Sequence, residues 1–274
     1  VKGILKALET VKKLRSPDGC PWDKAQTHQS LRPYLLEESH EVLEVLDSID
    51  SKNDYTSLKD ELGDLLLQIL LHSELAQEKG KFSFDEVAQN LAEKLERRHP
   101  HVFGDKKAKD SQEVEQNWAK MKAQEKKRES ALDGVSAALP ALAKAQKIIE
   151  RVSKMGFQWD SLEGPLEKMR EELLEFEQEI RALGLDPKEL KKLSANKKSA
   201  LESELGDLFF TLVNLAYFLQ IPAEDALRGM LGRFEERFRL VEKLALRDGK
   251  ILSKMTLAEM DILWDEAKKT IRKI

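Results

Sequence analysis

One spacing of carboxylates occurs twice in this chain. Glu37, Glu38 and Glu41 are followed by Glu61 and Asp64, and Glu171, Glu172 and Glu175 are followed by Glu204 and Asp207. Residues three or four apart on a helix share a face, so each set directs acids from two helical segments towards one point. Such a point suits a hard divalent cation with oxygen ligands. The acids also interrupt apolar stripes: Glu38 stands between Leu35 and Val42, Glu172 between Met169 and Phe176, Glu61 between Leu58 and Leu65, and Glu204 between Leu201 and Leu208. In a bundle that stripe faces the core, where an unpaired carboxylate is costly or takes up a proton. A bound cation resolves the conflict. The expected ligands are Glu172, Glu175, Glu204 and Asp207 in the second half, and Glu38, Glu41, Glu61 and Asp64 in the first.

The ligand types choose the metal. Carboxylates alone suit Mg²⁺, with Mn²⁺ as a substitute, whereas zinc asks for His or Cys. Glu37 with His40 and Glu96 with His99 have the Glu-x-x-His spacing of di-iron bundles, but all five histidines lie in the first half while the acids recur in the second. The acids therefore work without imidazole. No nucleophile with an adjacent base is legible around Cys20 or any serine, and no glycine-rich phosphate loop occurs. A magnesium site without a nucleophile points to attack of water on phosphorus. Phosphate oxygens need cationic partners. Lys168 and Arg170 precede the second acidic cluster, and Arg233 and Arg237 share one face of a later helix, whereas Leu35 and Leu36 precede the acids of the first copy. Trp264 is the expected aromatic platform for a base. Trp22 and Trp159 are expected to pack in the core.

The elements that position these groups are helices. Apolar periodicity predicts them near residues 3–14, 30–50, 54–79, 84–98, 111–128, 137–154, 164–183, 196–219, 223–246 and 256–272, with almost no strand alternation. Ser30, Ser83 and Ser111 are expected N-caps, Gly80 and Gly184 expected stops, and Pro222 marks a helix start. Five landmarks recur in one order: a Trp-Asp pair, the acidic helix, Glu-Leu-Gly-Asp-Leu, a basic later helix, and a tryptophan (Trp118, then Trp264). A period near 140 residues is a duplicated domain rather than a solenoid. The expected fold is all-α, two tandem helical-bundle domains spanning 1–132 and 133–274, with the break near Asp133-Gly134. The 111–128 segment between them is read as a solvated charged helix.

Composition narrows the partners. The 274 residues carry a net charge of −4, with basic residues scattered among acids, so no electrostatic footprint for nucleic acid is visible. The apolar run from Leu208 to Leu219 is too short to span a membrane and is interrupted by Asn214. With no signal peptide legible and a single cysteine, the expected location is the cytoplasm.

Two further strings, Cys20-Pro21-Trp22-Asp23-Lys24-Ala25-Gln26-Thr27-His28 and Arg97-Arg98-His99-Pro100-His101-Val102-Phe103-Gly104, accompany the doubled acids. Together they resemble the MazG-type nucleoside triphosphate pyrophosphohydrolases over nearly the full chain. The resemblance implies an all-α enzyme, usually dimeric, that cleaves a nucleoside triphosphate between its α and β phosphates to give the monophosphate and pyrophosphate, with a role in cleansing the nucleotide pool. It also implies that the second copy catalyses, with Glu172, Glu175, Glu204 and Asp207 on Mg²⁺, Lys168, Arg233 and Arg237 on the triphosphate, and Trp264 on the nucleotide. The chain departs from the family at Leu231, where asparagine is common, and at Arg233, where lysine is common. The first copy is expected to bind metal with little or no turnover. A different class of function, a non-catalytic nucleotide or metal sensor, is separated from the enzyme by pyrophosphate release.

Overall fold

The computed structural model describes residues 2–111, 113, 114, 117, 118, 121, 129–183 and 193–271. These residues form helices joined by turns, and no β-strand occurs among them. The chain forms two compact units, Val1–Lys127 and Arg128–Ile274.

The first unit contains α1 (Lys2–Arg15), α2 (Pro21–Ala25), α3 (Arg32–Lys52), α4 (Tyr55–Glu78), α5 (Phe84–Arg98) and α6 (Pro100–Phe103). Helices α3 and α4 lie along one another as a hairpin, and α1 packs on α4. The hairpin turns through Asn53, which adopts the left-handed conformation, and Asp54, whose side chain accepts the Ser57 N–H at the start of α4. Asparagine tolerates the left-handed region, and an aspartate cap satisfies an orphan N–H. Val11 of α1 meets Leu70, Leu71 and Leu75 of α4 in the core.

The second unit repeats this plan with α7 (Ala141–Ser153), α8 (Glu163–Ala182) and α9 (Ala195–Phe218). Helices α8 and α9 form the hairpin, and α7 packs on α9 through Ile149 against Val213. After a 103° bend, α10 (Ala223–Arg247) follows and pairs with α11 (Leu257–Ile271) around Val241, Leu244, Leu263 and Ala267. No single helix among the described residues is long and apolar enough to cross a membrane; only the bent pair α9 and α10 passes by length and composition.

Helix punctuation follows the sequence with two corrections. Ser83 and Glu86 form a reciprocal capping box at α5. Gly80, at φ 61°, ends α4: its own N–H bonds to Gln77 O and that of Lys81 to Ala76 O. Pro222 is the residue before α10. Ser30, however, does not cap α3; it belongs to the turn before it, its Oγ accepting the Thr27 N–H, and the helix begins at Arg32-Pro33. At the next charged segment Asp110, not Ser111, accepts the N–H of Glu113. Gly184 lies outside the described residues, as does most of the 111–128 helix, although Trp118 is seen edge-on to His99 with Arg98 over its ring.

Candidate active site

The acids of each copy converge where the two helices of its hairpin face each other. Glu38 and Glu41 from α3 and Glu61 from α4 bring carboxylate oxygens within 4.8 Å of one another, and Glu172, Glu175 and Glu204 from α8 and α9 do the same. The interrupted apolar stripe explains the meeting. Leu35, Val42, Met169 and Phe176 are buried or half-buried, and the acids at the intervening positions are drawn inward with them. Asp64 and Asp207 stand one turn further along, exposed and outside each triad, yet close enough to raise the affinity of their neighbours for protons.

Electrostatics show what the triads lack. Burial, and then the charges of Asp64, Glu41, Glu37 and Glu61, push Glu38 above the usual carboxylate range. Burial, with Glu41 and Asp64, raises Glu61, and burial with Glu175, Asp207 and Glu172 raises Glu204. The charges that dominate all three groups are acids. Carboxylates crowded in this way suit a hard cation, so the donor set fits Mg²⁺ or Mn²⁺.

The copies differ in their cations. Lys168, four residues before Glu172, lies 2.8 Å from both Glu171 and Glu172, and those hydrogen bonds hold its ammonium well above the usual lysine range. Glu172 is the most enclosed of the acids, at 6% exposure. The position four before Glu38 holds Tyr34, whose ring meets Trp22 edge-on at 5.8 Å.

Not every expected site residue joins this cluster. Arg233 and Arg237 sit on α10 and Trp264 on α11. The Trp264 ring packs 5.0 Å from Phe234 and belongs to the α10–α11 core, while Arg237 Nε is buried without a hydrogen-bond partner. Trp22 and Trp159, expected in the core, are instead 50% and 42% exposed. A cavity of about 490 Å³ between α7 and α9, lined by Trp159, Gln158 and Asn214 among others, was not expected from the sequence. The signal was present: Asn214 is the polar residue inside the apolar run of α9.

Two helical hairpins, each closing three carboxylates around a point fit for a divalent cation, define an all-α protein with a duplicated acidic centre. The model of the MazG nucleotide pyrophosphohydrolase domain matches residues 26–103, which contain the first copy of that centre. The chain is 42% identical over 270 residues to the nucleoside triphosphate pyrophosphohydrolase/pyrophosphatase MazG of Thermotoga maritima, covering 97% of this chain and 96% of that protein. It is 40% identical over 270 residues to the nucleoside triphosphate pyrophosphohydrolase of Escherichia coli, covering 97% of each. A Bacillus subtilis protein, YabN, is 42% identical over 265 residues that make up 51% of its own length. The chain belongs to the MazG family.

Proposed function

We propose that the protein hydrolyses nucleoside triphosphates to the monophosphate and pyrophosphate in the cytoplasm, cleansing the nucleotide pool, and that the second copy does the chemistry. The observation that carries this reading is Lys168 within 2.8 Å of Glu172, at the position where the first copy has Tyr34. Glu172, Glu175, Glu204 and Asp207 hold Mg²⁺, with Mn²⁺ able to substitute. The ion supplies charge neutralisation for the phosphates. Lys168 turns from Glu171 to a phosphate oxygen when substrate arrives, and Arg233 and Arg237 bind the rest of the triphosphate, with Trp264 on the nucleotide. One of the four carboxylates takes the proton of the attacking water. The water oxygen joins phosphorus, and the bond from that phosphorus to the bridging oxygen between the α and β phosphates breaks.

Homodimerisation completes the proposal. Leu173 and Leu174 on α8, Phe209 on α9, and Leu227, Met230, Leu231 and Phe234 on α10 are all exposed, large apolar side chains of the kind that interfaces cover. Gly63 and Gly206 sit inside helices at a cost of about 1 kcal/mol each relative to alanine, although a Cβ at either would meet nothing in the protomer. A second copy covering these faces accounts for both features.

The experiment is pyrophosphate release from ATP, GTP, CTP, UTP and their deoxy forms with Mg²⁺. Equimolar monophosphate and pyrophosphate is the expected result. Release of orthophosphate overturns the cleavage position, and no product from any of them overturns the reading in favour of a sensor. Light scattering on the same preparation is expected to give twice the 31.3 kDa of the chain, and a monomeric mass would remove the dimer.

A further inference from the structure

Two histidines of the first unit are used neither by the acids nor by the phosphate-binding groups, and they are joined to each other. His28, in the loop between α2 and α3, and His72, on α4, bring their Nδ1 atoms to 2.9 Å. The rings lie at 2° to one another with centroids 5.2 Å apart, and both residues are half-buried.

The contact sits where the loop is otherwise tied only to itself. Ser30 Oγ accepts the Thr27 N–H and donates to Gln26 Oε1, the Ser30 N–H bonds to Thr27 Oγ1, and the Leu31 N–H bonds to Thr27 O. Among the described residues, the imidazole pair is the hydrogen bond that crosses from this loop to α4. What the loop delivers is Leu31, fully buried in the core with Val11, Leu70, Leu71 and Leu75. The acidic helix α3 starts at the next residue.

Proton count decides whether such a pair holds. A bond from Nδ1 to Nδ1 needs one nitrogen with a proton and one with a free lone pair. The pair can carry one positive charge, because the extra proton goes to Nε2 of the donor ring. When both rings are charged, both Nδ1 atoms bear protons, two donors face each other, and the bond is lost. Burial, and then the charge of His28, hold His72 below the ordinary imidazole value of 6.5. The other titratable groups on the surrounding helices that are not exposed are Arg15 on α1, Asp23 on α2, Glu38 on α3, Glu61 and Glu74 on α4, and Lys94 and Arg98 on α5. Of these, Arg15 is paired with Glu78 at 2.6 Å, and Glu38 and Glu61 belong to the triad. One turn before His72, Gln68 is 4% exposed and its Oε1 is buried without a hydrogen-bond partner among the described residues. Residues four apart on a helix are neighbours, so an N–H freed from the pair has an acceptor close by. The second unit has no histidine, and Leu215 stands eight residues after Asp207 as His72 stands eight after Asp64.

We propose that His28 and His72 form a proton-operated latch of the first unit, which holds the 26–31 loop to α4 at neutral pH and releases it when mild acid charges both rings. The latch is independent of triphosphate hydrolysis. Because His72 is held below its unfolded value, the stability it contributes is present above about pH 6.5 and is lost as pH falls through the folded value. The raised acids of the triad act in the opposite direction, so loosening on acidification is the mark of the imidazoles.

The test compares the full-length chain with the double variant His28→Phe/His72→Phe, which keeps two flat rings and removes the titrating nitrogens. Hydrogen exchange of the segment 26–32 is followed at pH 7.5 and 5.0 and corrected for the intrinsic pH dependence of exchange. Protection is expected to fall at least tenfold in the wild type and less than threefold in the variant. A smaller fall in the wild type, or a fall of similar size in the variant, overturns the latch. If the variant does not fold by circular dichroism, imidazole nitrogen spectra of the wild type from pH 8 to pH 5 decide. One protonated and one bare Nδ1 at pH 7.5, with the two rings charging in separate steps, supports the latch. Two rings that charge together near pH 6.5 overturn it.

Discussion

The two copies share a scaffold and differ in what surrounds it. Both hairpins close three glutamates within 4.8 Å, and both dock a preceding helix on the second helix of the pair, through Val11 in one and Ile149 in the other. Around that common frame, Lys168 replaces Tyr34, Asn214 replaces Leu71, and Gln158 replaces Pro21. The family model falls on the first copy, whereas the paired lysine and the amide-lined cavity are in the second. Acid geometry is written into helical spacing and survives duplication with little support from its surroundings. The neighbouring cation and cavity depend on replacements at single positions, on the hairpin helices for Lys168 and Asn214 and in the loop before them for Gln158, and these set the copies apart.

The largest expected effect tests that asymmetry directly. Glu172→Ala removes a ligand and the partner of Lys168, and it should lower kcat/KM for nucleoside triphosphates at least a thousandfold, about 4 kcal/mol of transition-state stabilisation. Glu38→Ala should change the same quantity less than threefold. Equal losses in the two variants would mean that both copies turn over, and the comparison would collapse into symmetry.

Most of the fold was legible because helical periodicity is a local property. Helix α5 was expected at 84–98 and is found there, and α4, α9 and α10 lie within a residue or so of their expected bounds. The triads were legible for the same reason, since three-and-four spacing on an interrupted apolar stripe fixes which acids turn inward. The misses lie where two segments far apart in sequence must meet. Asn214 was read only as an interruption of an apolar run, because its partner Gln158 is 56 residues away. Trp159 reads as a core residue in the sequence, because a glycine five residues later does not by itself disclose a ring resting above it. Ser30 resembles a cap in the sequence, because its bond to Thr27 reproduces the local chemistry of one.

A smaller effect isolates the lysine. Lys168→Tyr installs the residue of the first copy, removes both 2.8 Å contacts to Glu171 and Glu172, and leaves the four carboxylates in place. A charge-assisted contact to phosphate is worth about 1.5–3 kcal/mol, so kcat/KM should fall roughly 10- to 100-fold while Mg²⁺ is still bound. If Tyr34→Lys in the first copy then raises the residual activity of Glu172→Ala, the lysine is the main difference between the copies. If it does not, the amide-lined cavity carries more of the distinction.

The smallest effect asks whether the first copy holds an ion at all. Glu38, Glu61 and Glu204 titrate above their ordinary value of 4.5 in the folded chain, through burial and neighbouring acids. Folding therefore binds protons between the ordinary value and the raised ones. The stability these groups contribute is present below about pH 4.5 and is lost as pH rises through their folded values. Metal-free protein should accordingly lose melting temperature on account of these groups as pH rises from about 4.5 through their raised values, and magnesium should restore more above those values, where the ligands are ionised. At tenfold excess over its dissociation constant, one ion adds about 1.4 kcal/mol, roughly 5 °C for a unit of this size. Because each triad lies within one unit, Glu38→Gln should abolish the magnesium shift of the first and Glu204→Gln that of the second, as resolved by calorimetry. A Glu38→Gln protein that keeps every part of the wild-type shift would show that the first triad has kept its geometry but not its ion, making the two copies less alike than their acids suggest.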